Sequence, residues 1–64
     1  MDIGKNIKIL RKAKDLTQVQ LAGALKISKA AIANYEVNKR EPNAEMLVRI
    51  AEYFDVTVDY LLGK

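Results

Sequence analysis

The sequence predicts an all-α fold of five short helices, and three observations carry that prediction. No stretch alternates apolar and polar residues for long enough to argue for a strand. Three times a hydroxyl residue follows one aliphatic residue and stands four positions before another: Leu16-Thr17-Leu21, Ile27-Ser28-Ile32 and Val56-Thr57-Leu61. That spacing is an N-cap with a hydrophobic staple, so helices start at 17, 28 and 57. Finally, Glu41-Pro42-Asn43 breaks the chain once, because proline disfavours helix at Glu41 while Asn43 can cap a new helix beginning at Ala44. With 64 residues the chain makes one domain, spanning 1–64, and a domain this size buries only about 60% of its unfolded surface.

The first helix is predicted over about 2–14, capped by Asp2 and carrying Ile3, Ile7 and Leu10 as one apolar stripe. The second, about 17–25, opens with Thr17 and Gln20 spaced for a capping box. The third is expected over 28–36 and the fourth over 44–54, where Leu47, Ile50, Ala51 and Phe54 share a face; the fifth covers 57–63. Between the second and third helices only Lys26-Ile27 remains as a connection. Helices joined that tightly cross steeply, as in a helix-turn-helix, and need a small residue where they meet. Ala22 stands at that place.

Composition narrows the function. The chain has no cysteine and no histidine, so the usual nucleophile–base pairs and most zinc sites cannot be built. A non-enzyme without metal, cofactor or small-molecule ligand is expected. There is no apolar run of membrane-spanning length and no signal peptide begins at Met1-Asp2, so a soluble, cytoplasmic protein is expected. Residues 1–40 hold nine of the eleven Lys/Arg and three of the eight acids, whereas residues 41–64 hold two and five. The anionic-partner end is therefore the N-terminal one. Lys5, Lys8, Lys12 and Lys14 make a general positive field there or a solvated face, while Tyr35, Tyr53, Phe54 and Tyr60 fall on apolar stripes and read as packing residues. Val58, Leu61 and Leu62 suit either the core or a dimer patch.

The segments IGKNIKILRKAKDLTQVQLA, ISKAAIANYE, NKREP and RIAEYFDVTVDYLLG together resemble the phage-repressor and Cro-like helix-turn-helix DNA-binding domains, in order and spacing, over nearly the whole chain. The resemblance implies a repressor-like transcriptional regulator that binds a palindromic double-stranded DNA operator as a homodimer, with the third helix in the major groove. It implies phosphate contacts from Thr17, Gln18, Asn38, Lys39 and Arg40, and an ion pair of Arg11 with Glu36 that sets the angle of the third helix. The family often has glycine where this chain has Asp15, Lys26, Asn38 and Asp55. Glycine suits a left-handed turn at such sites, and Asp and Asn tolerate one better than Lys does.

On a wheel of about 100° per residue with Ile32 facing inward, Tyr35, Ser28 and Glu36 fall within about 60° of it, and Ala30 and Asn34 near 160° and 200°. Lys29, Ala30, Ala33 and Asn34 are then the candidate base-contacting residues. Alanine can touch thymine methyls, and Asn34 can bond adenine N6 and N7. Few hydrogen bonds are available on this face, so most affinity is expected from the backbone grip and specificity is expected to be modest and A·T-leaning.

Overall fold

A computed structural model describes residues 2–64. The helices are α1 (Ile3–Ala13), α2 (Gln18–Leu25), α3 (Lys29–Glu36), α4 (Ala44–Phe54) and α5 (Val58–Leu62), with no strand among the described residues. The predicted bounds differ from these only at the ends, chiefly because they included the capping residues.

Every helix begins and ends in the same way. The side chains of Asp2, Thr17, Ser28, Asn43 and Thr57 each accept the backbone N–H three residues on, which satisfies a donor the first turn would otherwise leave unpaired. Thr17 and Gln20 bond each other's backbone reciprocally, at 3.1 and 2.8 Å. At the other ends, Asp15, Lys26, Asn38, Asp55 and Gly63 all adopt positive φ. The N–H of the residue after each reaches back five positions to a helix carbonyl: Leu16 to Arg11, Ile27 to Ala22, Lys39 to Asn34, Val56 to Ala51 and Lys64 to Asp59. These are Schellman caps, and only one of the five uses glycine. A left-handed conformation costs a side-chain-bearing residue about 1–2 kcal/mol, less for Asn and Asp, so Lys26 carries the largest local penalty.

Leu16, Ile27 and Val56 therefore serve twice, each packing after one helix end and before the next cap. Between the helices lies one core whose five largest fully buried side chains, Ile7, Leu21, Ile32, Ile50 and Leu61, come one from each helix. Burying such a side chain stabilises by about 1.5–3 kcal/mol, so no helix is dispensable. Leu61 is thus a core residue, whereas Val58 and Leu62 are half-buried beside it.

Candidate nucleic-acid interface

Two short helices meet at Lys26-Ile27-Ser28, and the corner is closed by small size as much as by hydrogen bonding. Ala22 is buried where α2 and α3 approach, and Ile27 packs into the gap. The inner face of α3 is Ile32, Tyr35 and Glu36, all buried. Lys29 and Ala30 are exposed, Ala33 and Asn34 are half-buried, and Ala31 packs, partly buried, against the core. Ser28 is exposed although its place on the wheel is inward. As N-cap it has extended backbone, φ −79° and ψ 154°, so helical periodicity does not apply to it. Asn34 is less open than the wheel implies, and the following loop folds back onto its backbone: its carbonyl accepts the N–H groups of both Lys39 (2.9 Å) and Arg40 (3.2 Å). Val37, 70% exposed, extends the stripe of Ala30, Ala33 and Asn34 by one more step of three or four.

The C-terminal end of α3 is held by a charged network. Arg11 of α1 grips Glu36 through two bonds, Nε to Oε2 at 2.6 Å and Nη2 to Oε1 at 3.1 Å, and gives Nη1 to the carbonyl of Leu16 at 2.7 Å. Gln18 adds its amide N–H to Glu36 Oε1 at 3.1 Å. Both members of the pair are 8% exposed. Donation to the Glu36 carboxylate raises the Arg11 pKa against the pull of burial. Burial pushes the Glu36 carboxyl up, but the bonds from Arg11 and Gln18 and the charges of Arg11 and Lys8 together outweigh it, leaving its pKa below the ordinary glutamate value. The pair is ionised at neutral pH, and α3 is tied to α1 and to the first residue of α2 at one point.

Thr17 and Gln18 stand at the N-terminus of α2. The Thr17 Oγ1 and N–H are engaged with Gln20, leaving its hydroxyl hydrogen, the second amide hydrogen of Gln18 and the first-turn N–H groups of Gln18 and Val19 as donors for an anion. Lys39 and Arg40 are exposed in the loop after α3. Asn38 is placed differently: its Oδ1 accepts from Gly4 N–H at 3.1 Å, and its Nδ2 donates to Asp2 Oδ1 at 3.3 Å. Its side chain faces α1.

Three supporting residues carry no signature in the cap and staple pattern. Gly4 lets α1 touch the end of α3: a Cβ there would lie 2.3 Å from the Tyr35 carbonyl oxygen and 2.8 Å from those of Glu36 and of the Asn38 side chain. A glycine inside an otherwise helical stretch is itself the available signal, since it costs about 1 kcal/mol against alanine. Asn6 donates to the carbonyls of Tyr60 (3.2 Å) and Leu61 (3.1 Å) at the end of α5. Arg49 donates to the Leu25 carbonyl at the end of α2, where a cation also meets the negative end of the helix dipole. Among the described residues no group of acids is arranged to hold a metal ion, and no helix is long and apolar enough to cross a membrane.

Two crossing helices with a tight left-handed turn, an outward face of small side chains on the second, and anion donors on either side define a helix-turn-helix domain. The Helix-turn-helix family model matches residues 7–61, and the chain belongs to that family. It is 44% identical over 63 residues to the HTH-type transcriptional activator BcrR of Enterococcus faecalis, an alignment covering 98% of this chain and 31% of that protein. It is 36% identical to the HTH-type transcriptional regulator ImmR of Bacillus subtilis and 33% identical to the immunity repressor of Bacillus phage phi105, over all of this chain and 50% and 44% of those proteins. The chain thus spans half or less of these relatives. The P22 c2 repressor, solved in complex with a synthetic operator, superposes with a TM-score of 0.88 at 30% identity, covering 95% of this chain and 92% of that one.

Proposed function

We propose that this chain is the sequence-specific DNA-binding domain of a repressor-like transcriptional regulator. In this reading α3 lies in the major groove with Lys29, Ala30, Ala33 and Asn34 against base edges. Thr17, Gln18, Lys39 and Arg40 hold phosphates on either side, and the protein acts in the cytoplasm as a homodimer on a palindromic operator with half-sites about 10 bp apart. It requires no catalysis and no cofactor. The observation that carries the reading is the asymmetry of α3: one face is wholly buried and pinned by Arg11, Gln18 and Glu36, while the other presents only small side chains, one amide and one cation. An α-helix with its side chains is about 10–12 Å across and the major groove about 12 Å wide, so α3 fits within it, and alanines let its backbone approach the bases.

Selection from a random duplex pool identifies the preferred site, and titration of that site and of random DNA at two salt concentrations tests the mechanism. Binding is expected to weaken steeply with salt on both. Asn34→Ala is expected to lose about 1–3 kcal/mol on the selected site and almost nothing on random DNA. Equal loss on both would make Asn34 a phosphate ligand, and no loss on either ends its base-reading role.

A further inference from the structure

The loop after α3 is a short span fastened at two points. At its start Asn38 is locked to α1 by the bonds to Gly4 and Asp2, and at its end Pro42 is buried. Lys39, Arg40 and Glu41 between them are exposed, and a cleft of about 290 Å³, lined by Ile3, Asn38, Arg40, Glu41 and Pro42, separates this part of the loop from α1. The two cations thus depend on these fastenings, and on the bonds of their own N–H groups to the Asn34 carbonyl, for their position.

We infer that Asn38 is a positioning residue for the phosphate grip: it aims Lys39 and Arg40 by tying the loop to the N-terminal end of α1, without touching the nucleic acid. The tie exists because Gly4 lets the two segments meet and because Asp2 offers one oxygen both to its own helix, at Lys5 N–H, and to the Asn38 amide. A glycine at position 38 would serve the backbone, whose φ is +59°, at least as well. What asparagine adds is the two side-chain bonds to α1. The inference rests on the DNA-binding reading above.

The test is Asn38→Gly, which keeps the left-handed turn and removes only those bonds. With the variant shown to be folded by circular dichroism, its affinity is expected to fall by roughly 3–10-fold on the selected site and on random duplex alike. The slope of log affinity against log salt should become shallower by up to about 1, as when one phosphate contact is lost. In a cycle with Arg40→Ala and Lys39→Ala, the losses should be less than additive, because one change disables what the other removes. Unchanged affinity and slope in a folded Asn38→Gly overturn the inference. So does a loss that adds fully to those of Lys39 and Arg40 at constant slope, which would make Asn38 a direct, uncharged phosphate ligand. If the unaltered protein binds no duplex at low salt, it is the DNA-binding reading that fails.

Discussion

The corner between α2 and α3 and the corner between α4 and α5 are the same object built twice. Leu21, Ala22, Leu25, Lys26, Ile27, Ser28 and Ile32 in the first correspond in order to Ile50, Ala51, Phe54, Asp55, Val56, Thr57 and Leu61 in the second. The left-handed residues have φ/ψ of 59°/43° and 56°/46°, and the N-caps −79°/154° and −84°/158°. Ala22 and Ala51 are equally buried, as are Ile32 and Leu61. The differences lie in what hangs on the frame. The first corner carries Lys26 and Lys29, the second Asp55 and Asp59. The first launches an eight-residue helix with alanines on its outer side, the second a five-residue helix that closes the core. The end of α3 is pinned by a charged network, the end of α5 by one neutral amide. Corner geometry is thus a matter of local chemistry, while a role in binding comes from charge, length and the precision with which the second helix is held.

The sharpest way to break the symmetry is at the pins. Glu36→Gln strands Arg11 in a buried site and is expected to cost about 3–5 kcal/mol in urea melts. Asn6→Ala, which removes the side-chain donor to the Tyr60 and Leu61 carbonyls while Tyr60 keeps its bond from Gly63 N–H, should cost only about 1 kcal/mol. A Glu36→Gln loss under about half a kcal/mol would make the pair equivalent to a surface one.

Acid should separate the same two ends. A carboxyl whose pKa falls on folding stabilises the fold while ionised, so Glu36 contributes fully above its ordinary value of 4.5. That contribution is lost as pH drops from there through the folded pKa. Urea midpoints measured from pH 7 to pH 3 should decline more steeply for the unaltered protein than for Glu36→Gln, and Asn6→Ala should leave the steep decline in place.

Overpacking tests the corners themselves. Ala22→Leu and Ala51→Leu are each expected to cost about 1–3 kcal/mol. Their effects on DNA should diverge: measured where both variants are folded, Ala22→Leu moves α3 against α2 and weakens binding, and Ala51→Leu leaves affinity close to that of the unaltered chain. Equal weakening would mean that the α4–α5 corner also orients the interface. The smallest change expected is a gain. Lys26→Gly relieves the costliest left-handed residue and should add about 0.5–1 kcal/mol, with a lesser gain for Asp55→Gly, read as urea midpoints.

The ends of the helices and the pattern of the core were legible in the sequence because they depend on residues within a few positions of one another. Asp2, Thr17, Ser28, Asn43 and Thr57 cap their own first turns, and the staples lie within five residues of each cap. The left-handed sites were legible through family resemblance, since Asp, Lys and Asn do not by themselves demand positive φ. Tertiary structure alone decided where the connecting side chains go. Asn38 turned toward Gly4 and Asp2, Asn6 toward α5, and Arg49 toward α2, each across 24 or more positions in the chain. The physical reason is range: a cap or staple is chosen by a helix from its own neighbours, whereas a free amide or guanidinium takes whichever carbonyl or carboxylate packing brings within about 3 Å. Only the packed core determines which one that is.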